Sequence, residues 1–147
     1  MGIDNKDRKI IAELVKDSRQ TTSKLGKKLN IPITTVHNRI KKLIKAGVII
    51  NYTVNLDHNL LGRPVHAYVG VTINYNVPGK KIHQIDVAQQ IKKLGGVYET
   101  YIMTGGSDIL VKVLVTDIAE LNSIVTEKLR SVDGIDKTQT AIILKEL

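Results

Sequence analysis

Apolar residues recur every three or four positions through roughly the first 45 residues, a spacing typical of helices with one buried face. The first predicted helix follows Asp4, which is a good N-terminal cap. Its apolar stripe consists of Ile10, Ile11, Leu14 and Val15. After an interruption, a second short helix is predicted from about Thr22, with Leu25 and Leu29 on its buried side.

A third helix is predicted between Pro32 and Gly47. Proline is well tolerated at the first helical position, where its missing N–H would be unpaired anyway, and glycine is a common helix stop. The buried positions of this helix follow the spacing i, i+4, i+7, i+8, and they are Val36, Ile40, Leu43 and Ile44. Two helices joined by a short turn predict a helix-turn-helix within residues 1–50.

From Val48 onward the hydrophobic period changes from about 3.6 to two, which indicates strands. Residues 48–56 predict a strand pair or wing, and residues 51–63 as a whole are interpreted as wing strand and linker. Six alternating strands and helices are then predicted at Val65–Asn76, Lys80–Leu94, Val97–Met103, Ser107–Val115, Asp117–Val132 and Lys137–Lys145. This βαββαβ order is that of a ferredoxin-like domain over residues 64–147. The predicted fold class is therefore α+β, a winged helix-turn-helix followed by a ferredoxin-like domain.

In such a domain both helices cover one face of the sheet, and the other face is left open. Tyr68, Leu110 and Leu114 are predicted on that open face. Because a monomer would leave these apolar groups in water, we expect two copies to pair through their sheets.

The net charge of +8 lies entirely in the helical part. Residues 1–50 hold twelve Lys and Arg against four Asp and Glu, whereas residues 51–147 hold ten of each sign. Lysine and arginine release condensed counterions from phosphates, so a basic block on a neutral body favours binding to a polyanion.

The exposed side of the third helix carries the candidate DNA-reading chemistry. Thr34, His37 and Asn38 lie near its start, the part that enters the major groove, and are predicted to contact base edges. The cationic or hydroxyl-bearing neighbours predicted at or near phosphates are Thr35, Arg39, Lys41 and Lys42, with Lys24, Lys27 and Lys28 of the preceding helix on the flanking backbone.

Other functions find little support in the composition. The chain has no cysteine, and its four histidines show no metal-ligand spacing. A phosphate-binding Gly-rich Lys loop and a G-x-S-x-G nucleophile motif are both absent from the sequence. No apolar run approaches the ~20 residues of a membrane span, and the start is unlike a secretory signal. We therefore expect a cytoplasmic, nucleoid-associated protein that is not an enzyme and uses no metal or cofactor.

Several segments resemble the Lrp/AsnC (feast/famine) transcription regulators. These are residues 4–14, Leu25-Gly26-Lys27-Lys28-Leu29, Val36 to Leu43, Gly47 to Tyr52, Leu56-Asp57, Leu61-Gly62, Thr104 to Asp108 and Thr138 to Leu144. The resemblance runs in order along nearly the whole chain. It implies a sequence-specific regulator of promoter DNA that forms homodimers, often octamers, and contacts the transcription machinery.

The resemblance also implies an amino acid or related metabolite as effector, bound beside the loop Thr104, Gly105, Gly106, Ser107 and Asp108. The two glycines would let backbone N–H groups approach a carboxylate, and Asp108 would pair with the ammonium group. Thr138 and Thr140 of the last strand would line the same pocket. Ser107 stands where the family commonly has an aromatic residue.

Two other functions remain open at this point. The chain could be a small-molecule-binding or metabolic domain whose basic part serves only as a dimerisation arm, or a non-specific architectural protein of chromatin. A dimerisation arm has no need of the polar face on the third helix, and non-specific binding has no need of His37 and Asn38.

Overall fold

The computed structural model describes residues 2–145, and the chain divides into two compact units, Met1–Asn55 and Leu56–Leu147. The division lies within residues 51–63, which the sequence predicts as wing and linker. No helix among the described residues is long and apolar enough to cross a membrane.

The first helix, α1 (Asn5–Lys16), begins with the predicted cap. The Asp4 carboxylate accepts the backbone N–H of Asp7 at 2.9 Å, and the Asp7 carboxylate accepts that of Asp4 at 3.1 Å, a reciprocal capping box. Ile10 and Leu14 are buried as predicted, but Val15 is 81% exposed because the packed stripe does not extend to it.

Helix α2 (Thr22–Leu29) ends at Asn30, whose left-handed backbone (φ 53°) turns the chain toward α3. The turn is tight: a Cβ added to Gly26 would lie 2.8 Å from the carbonyl oxygen of Ile31. Glycine at position 26 therefore allows the two helices to approach closely.

Helix α3 (Ile33–Lys45) begins one residue after Pro32, which takes the cap position instead of the predicted first helical position. Val36 and Leu43 are buried, and Ile40 is half-buried. Ile44 was predicted on the buried face but is 45% exposed, so the packed side of α3 is narrower than its apolar stripe. The small core of this unit joins the three helices through Ile10, Leu14, Leu25, Ile31 and Val36.

The strand pair predicted at residues 48–56 is absent from this structure. Every residue of this segment is described, and none belongs to a strand. Ile50, Tyr52, Val54 and Leu56 alternate as a strand would require and are all exposed. A β-strand is defined by hydrogen bonds to a partner strand, and within the described chain this segment is assigned to no strand pair.

The second unit has the predicted βαββαβ order: β1 (Val65–Ile73), α4 (Gln84–Lys92), β2 (Val97–Ile102), β3 (Ile109–Val115), α5 (Ile118–Ser123) with a π-helical turn at Ile124–Lys128, and β4 (Ile135–Ile142). The four strands form one sheet in the order β2-β3-β1-β4, and each neighbouring pair is antiparallel. Fifteen of the described apolar residues, Val69, Val111 and Ile124 among them, are buried and form its core between sheet and helices.

The open face of the sheet carries Tyr68 and Leu110, both half-buried, as predicted. Leu114 shares this face but is only 1% exposed, so it does not add to an open surface. It lies opposite His66 in the β1–β3 register. The rings of His66 and Tyr98 are contacted by His58, so the linker turn covers this end of the face.

Candidate nucleic-acid interface and ligand loop

The exposed face of α3 contains the side chains predicted to read DNA. Thr34, His37 and Asn38 are exposed in its first half, and Lys41 and Lys45 are exposed farther along the same side. Their spacing of three, four, seven and eleven residues places them in one row. Val36 and Leu43 anchor the opposite side in the core, so this row faces away from the three-helix unit.

The predicted phosphate contacts are less uniform. Lys42, Lys24 and Lys27 are exposed, whereas Thr35 is half-buried between the polar row and the core. Lys28 is exposed but forms an ion pair with Glu13 of α1.

Arg39 lies on α3 but is directed toward α1. Its Nη1 donates to Asp4 Oδ2 at 2.6 Å and to Asp7 Oδ1 at 2.8 Å, and its side chain is 25% exposed. Asp7 is itself buried, at 6% exposure. Arg39 therefore joins the middle of α3 to the capping box of α1, an arrangement that helical spacing alone does not reveal.

Two of the acidic partners of these cations, Asp4 and Glu13, have lowered pKa values. Hydrogen bonds from the backbone N–H of Asp7 and from Arg39 lower the pKa of Asp4. Hydrogen bonds from Lys28 and Lys16 lower the pKa of Glu13 to about 2. Both carboxylates therefore remain ionised well below neutral pH, and their ion pairs connect α1 with the other two helices.

Residues 104–108, called the ligand loop after the role predicted for them, lie between β2 and β3. Thr104, Gly105 and Gly106 are exposed, and Gly105 has φ 109°, which favours glycine. A Cβ added to either glycine would meet no atom within 4 Å, so the space around this part of the loop is open. Ser107 is half-buried, and its Oγ would lie 2.5 Å from a Cβ added to Gly70 of β1.

Asp108 is connected to the rest of its unit and is not a free carboxylate in the loop. Its Oδ2 accepts the backbone N–H of Ile73 at 2.8 Å. Its backbone N–H donates to Val71, and its carbonyl accepts from Met103 and from the side chain of Gln84. Sequence reasoning missed Ile73 and Gln84 as partners because nothing in their spacing connects them with the loop.

Thr138 and Thr140 do not meet Ser107. In the β1–β4 register they lie opposite Val71 and Val69, whose side chains point to the helix-covered face. Ser107 lies against Gly70, which belongs to the open face. The sheet therefore separates the two threonines from Ser107, contrary to the expectation that all three line one pocket.

Among the described residues, no group of three or more His, Cys, Asp or Glu side chains is placed to hold a metal ion.

A helix-turn-helix with an exposed polar and cationic reading face, joined to a βαββαβ domain, defines a class of DNA-binding transcription regulator. The family models agree with this class. Residues 3–50 match the winged helix-turn-helix DNA-binding family, and residues 66–147 match the Lrp/AsnC ligand binding domain. The chain belongs to the Lrp/AsnC family, whose members are transcription regulators and not enzymes.

Individual relatives support the assignment over the whole chain. An uncharacterized HTH-type transcriptional regulator of Pyrococcus furiosus is 40% identical over 95% of this chain and 91% of its own length. The regulatory protein AsnC of Haemophilus influenzae is 30% identical over 98% of this chain and 93% of its own.

Solved structures give the same result. The chain matches E. coli AsnC with a TM-score of 0.85 and 27% identity, covering 99% of this chain and 95% of that one. It matches a transcriptional regulator of Neisseria meningitidis, solved as a complex with L-methionine, with a TM-score of 0.90 and 25% identity, covering 99% and 92%.

Proposed function

We propose that this regulator reads its operator through the exposed row on α3. Thr34, His37 and Asn38 contact base edges in the major groove, and the cationic part of the row neutralises phosphates. The observation that carries the proposal is the single row of exposed hydrogen-bonding and cationic side chains on a helix whose other side is fixed in a core. Thr35, Lys42, Lys24 and Lys28 flank the row and are proposed to contact the DNA backbone.

Selection of bound sequences from random duplex DNA tests this proposal. A sequence-specific reader enriches a defined motif, whereas an architectural protein enriches only a general base composition. Failure to enrich any motif at physiological salt would leave non-specific packaging as the better account of the basic face.

We further propose that the protein acts as a homodimer formed through the open face of the sheet. Tyr68 and Leu110 are the half-buried apolar groups available there, and pairing two such faces removes them from water. A two-fold dimer presents two reading helices, so the operator is expected to have half-sites about one helical turn apart or a multiple of it.

Leu110→Glu tests the dimer in the full chain. A charge on an apolar interface is unfavourable, so the variant should sediment as a monomer at micromolar concentration. Ile118→Glu is the matched control, because Ile118 is exposed at the start of α5 on the helix-covered side. If both variants sedimented like the wild type, the open sheet face would not be the interface.

The proposed effector is an amino acid that binds at the ligand loop. The DNA-bound protein is proposed to act in the cytoplasm, at the nucleoid. The support is the Lrp/AsnC ligand binding domain together with the methionine complex of the Neisseria regulator. The exposed Gly105 and Gly106 offer backbone N–H groups to a ligand carboxylate.

Calorimetric titration of the protein with each of the twenty amino acids tests the effector. Binding of at least one at or below millimolar concentration is expected, with a change in oligomer size, up to an octamer, or in DNA affinity. If none binds, the loop no longer senses amino acids, and the substitution of Ser107 for the common aromatic residue gives the reason.

A further inference from the structure

Several hydrogen bonds converge on Asp108 and join three parts of the sheet unit. The backbone N–H donates to Val71 O and the carbonyl accepts from Met103 N, both at 2.9 Å. The same carbonyl accepts Gln84 Nε2 at 2.7 Å, and the carboxylate accepts Ile73 N at 2.8 Å. Strand β1, the end of β2 and the first residue of α4 are thus connected through one residue.

We propose that Asp108 is a positioning residue that fixes the ligand loop to the end of β1, and that it does not serve as the ion-pair partner of the effector's ammonium group. The part of this proposal that concerns a ligand rests on the proposed effector function. The part that concerns the loop rests on the hydrogen bonds alone.

The Asp108 carboxylate accepts a backbone N–H at an irregular point of the sheet. The register between β1 and β4 shifts between Thr72 and Ile73, and such an irregularity interrupts the ladder of backbone hydrogen bonds. Asp108 Oδ2 gives the N–H of Ile73 an acceptor there. Because Ile73 is buried and an N–H without an acceptor is costly there, this bond holds the loop in one place.

Ser107 also places the ligand loop against β1, through its contact with Gly70. Its Oγ occupies the space that a side chain at Gly70 would fill. Ser107 lies against β1 and Asp108 is hydrogen-bonded to it, so the exposed part of the loop is reduced to Thr104, Gly105 and Gly106. Ligand contacts therefore fall to the backbone of this short exposed part.

Tyr75 provides a reporter for the charge of Asp108. Loss of hydration raises the pKa of Tyr75, and the Asp108 carboxylate raises it further through its charge and a hydrogen bond. Removal of the charge should lower this pKa, whether or not the loop keeps its position.

Two variants of the full chain separate the effect of the hydrogen-bond acceptor at position 108 from the effect of its negative charge. Asp108→Asn keeps an oxygen that can accept the Ile73 N–H but removes the charge, and Asp108→Ala removes both. Amide exchange at Ile73 should be within about threefold of wild type in Asp108→Asn and about tenfold faster in Asp108→Ala. Asp86→Asn, which removes an exposed carboxylate from α4, should leave the exchange unchanged.

Tyrosine absorbance at alkaline pH, assigned by difference from Tyr75→Phe, should show a lowered Tyr75 pKa in both Asp108 variants. Wild-type exchange at Ile73 in Asp108→Ala, or equally fast exchange in both variants, would overturn the positioning role. An unchanged Tyr75 titration in both variants would also overturn it, since Asp108 would then not lie where the structure places it.

Calorimetry with the amino acids that bind the wild type completes the test. Asp108→Asn should keep their affinity within about threefold, because the loop remains in place. A loss of tenfold or more would assign the ammonium contact to Asp108. If no amino acid binds the wild type, the effector proposal fails, while amide exchange still decides the positioning role.

Discussion

The two units of the chain use their polar groups in opposite ways. The helical unit carries the whole net charge of +8 and presents a row of exposed polar and cationic side chains. The sheet unit is neutral, and the carboxylate of its ligand loop is bonded to its own backbone. The helical unit therefore leaves its charged side chains exposed to solvent, whereas the sheet unit uses the carboxylate of the ligand loop to fix that loop in place.

This difference fits the partners proposed for the two units, duplex DNA for the first and an amino acid for the second. Duplex DNA is a large polyanion whose affinity comes mainly from many similar phosphate contacts, so exposed lysines suffice for much of the binding. A small ligand offers few contacts, and a loop gains affinity for it by being fixed beforehand. Arg39 is an exception in the helical unit, because its guanidinium forms ion pairs with Asp4 and Asp7.

The largest expected effect is that of Arg39→Ala. Loss of the guanidinium leaves the buried Asp7 without its cation and frees α3 from the cap of α1, so the Tm should fall by about 5 °C. Binding to operator and random DNA should weaken together, with an unchanged dependence on salt. Circular dichroism and fluorescence titration at several salt concentrations measure both effects.

Asp7→Asn is the matched variant for Arg39. If the two residues act as one connection, both single variants behave alike and the double variant is no worse than either. A salt slope lowered by about 1 in Arg39→Ala, with a wild-type Tm, would instead show that Arg39 contacts phosphate.

A smaller effect is expected from Lys41→Ala, which removes one positive charge from the exposed row on α3. All DNA should be bound more weakly to a similar degree, and the slope of log affinity against log salt should decrease by about 0.9. Lys92→Ala removes an exposed lysine from α4 of the neutral unit and should leave the slope unchanged. Equal slopes for Lys41→Ala and the wild type would exclude Lys41 from the phosphate contacts.

The smallest effect concerns acid stability in the helical unit. The pKa of Glu13, about 2 in the folded protein against 4.5 as its ordinary value, means that its ionised form favours folding. This stabilisation is complete above about pH 4.5 and is lost as the pH falls toward 2. The Tm difference between wild type and Glu13→Gln should therefore shrink over that range.

Glu127→Gln, which changes an exposed glutamate of the sheet unit, should follow the wild type at each pH. A Tm difference between wild type and Glu13→Gln that stayed constant down to pH 2 would mean that the ion pairs with Lys16 and Lys28 do not contribute to stability.

The elements that sequence reasoning predicted well are those decided by local chemistry. The Asp4 cap, the Asn30–Pro32 break and the alternation of β1 and β3 each depend on neighbouring residues. Their patterns agree with the tertiary packing, and the βαββαβ order then limits the topology to very few arrangements.

The features that the sequence did not reveal depend on distant partners. The Arg39 link to Asp7 spans 32 positions, and the Asp108 bond to Ile73 spans 35. Residues 48–56 alternate like a strand, but a strand also needs a partner. The burial of Leu114 and the separation of Thr138 from Ser107 likewise follow from strand register and packing. The periodicity of apolar residues does not determine either of these.

Asn38→Ala tests whether α3 reads base sequence, as we propose. The affinity of wild type and variant is measured on the selected operator and on random duplex DNA at one salt concentration, with Asn122→Ala of α5 as control. We expect a loss of roughly 1–3 kcal/mol in binding free energy on the operator and little change on random DNA. Equal losses on both DNAs would contradict it, because Asn38 would then contact only the backbone.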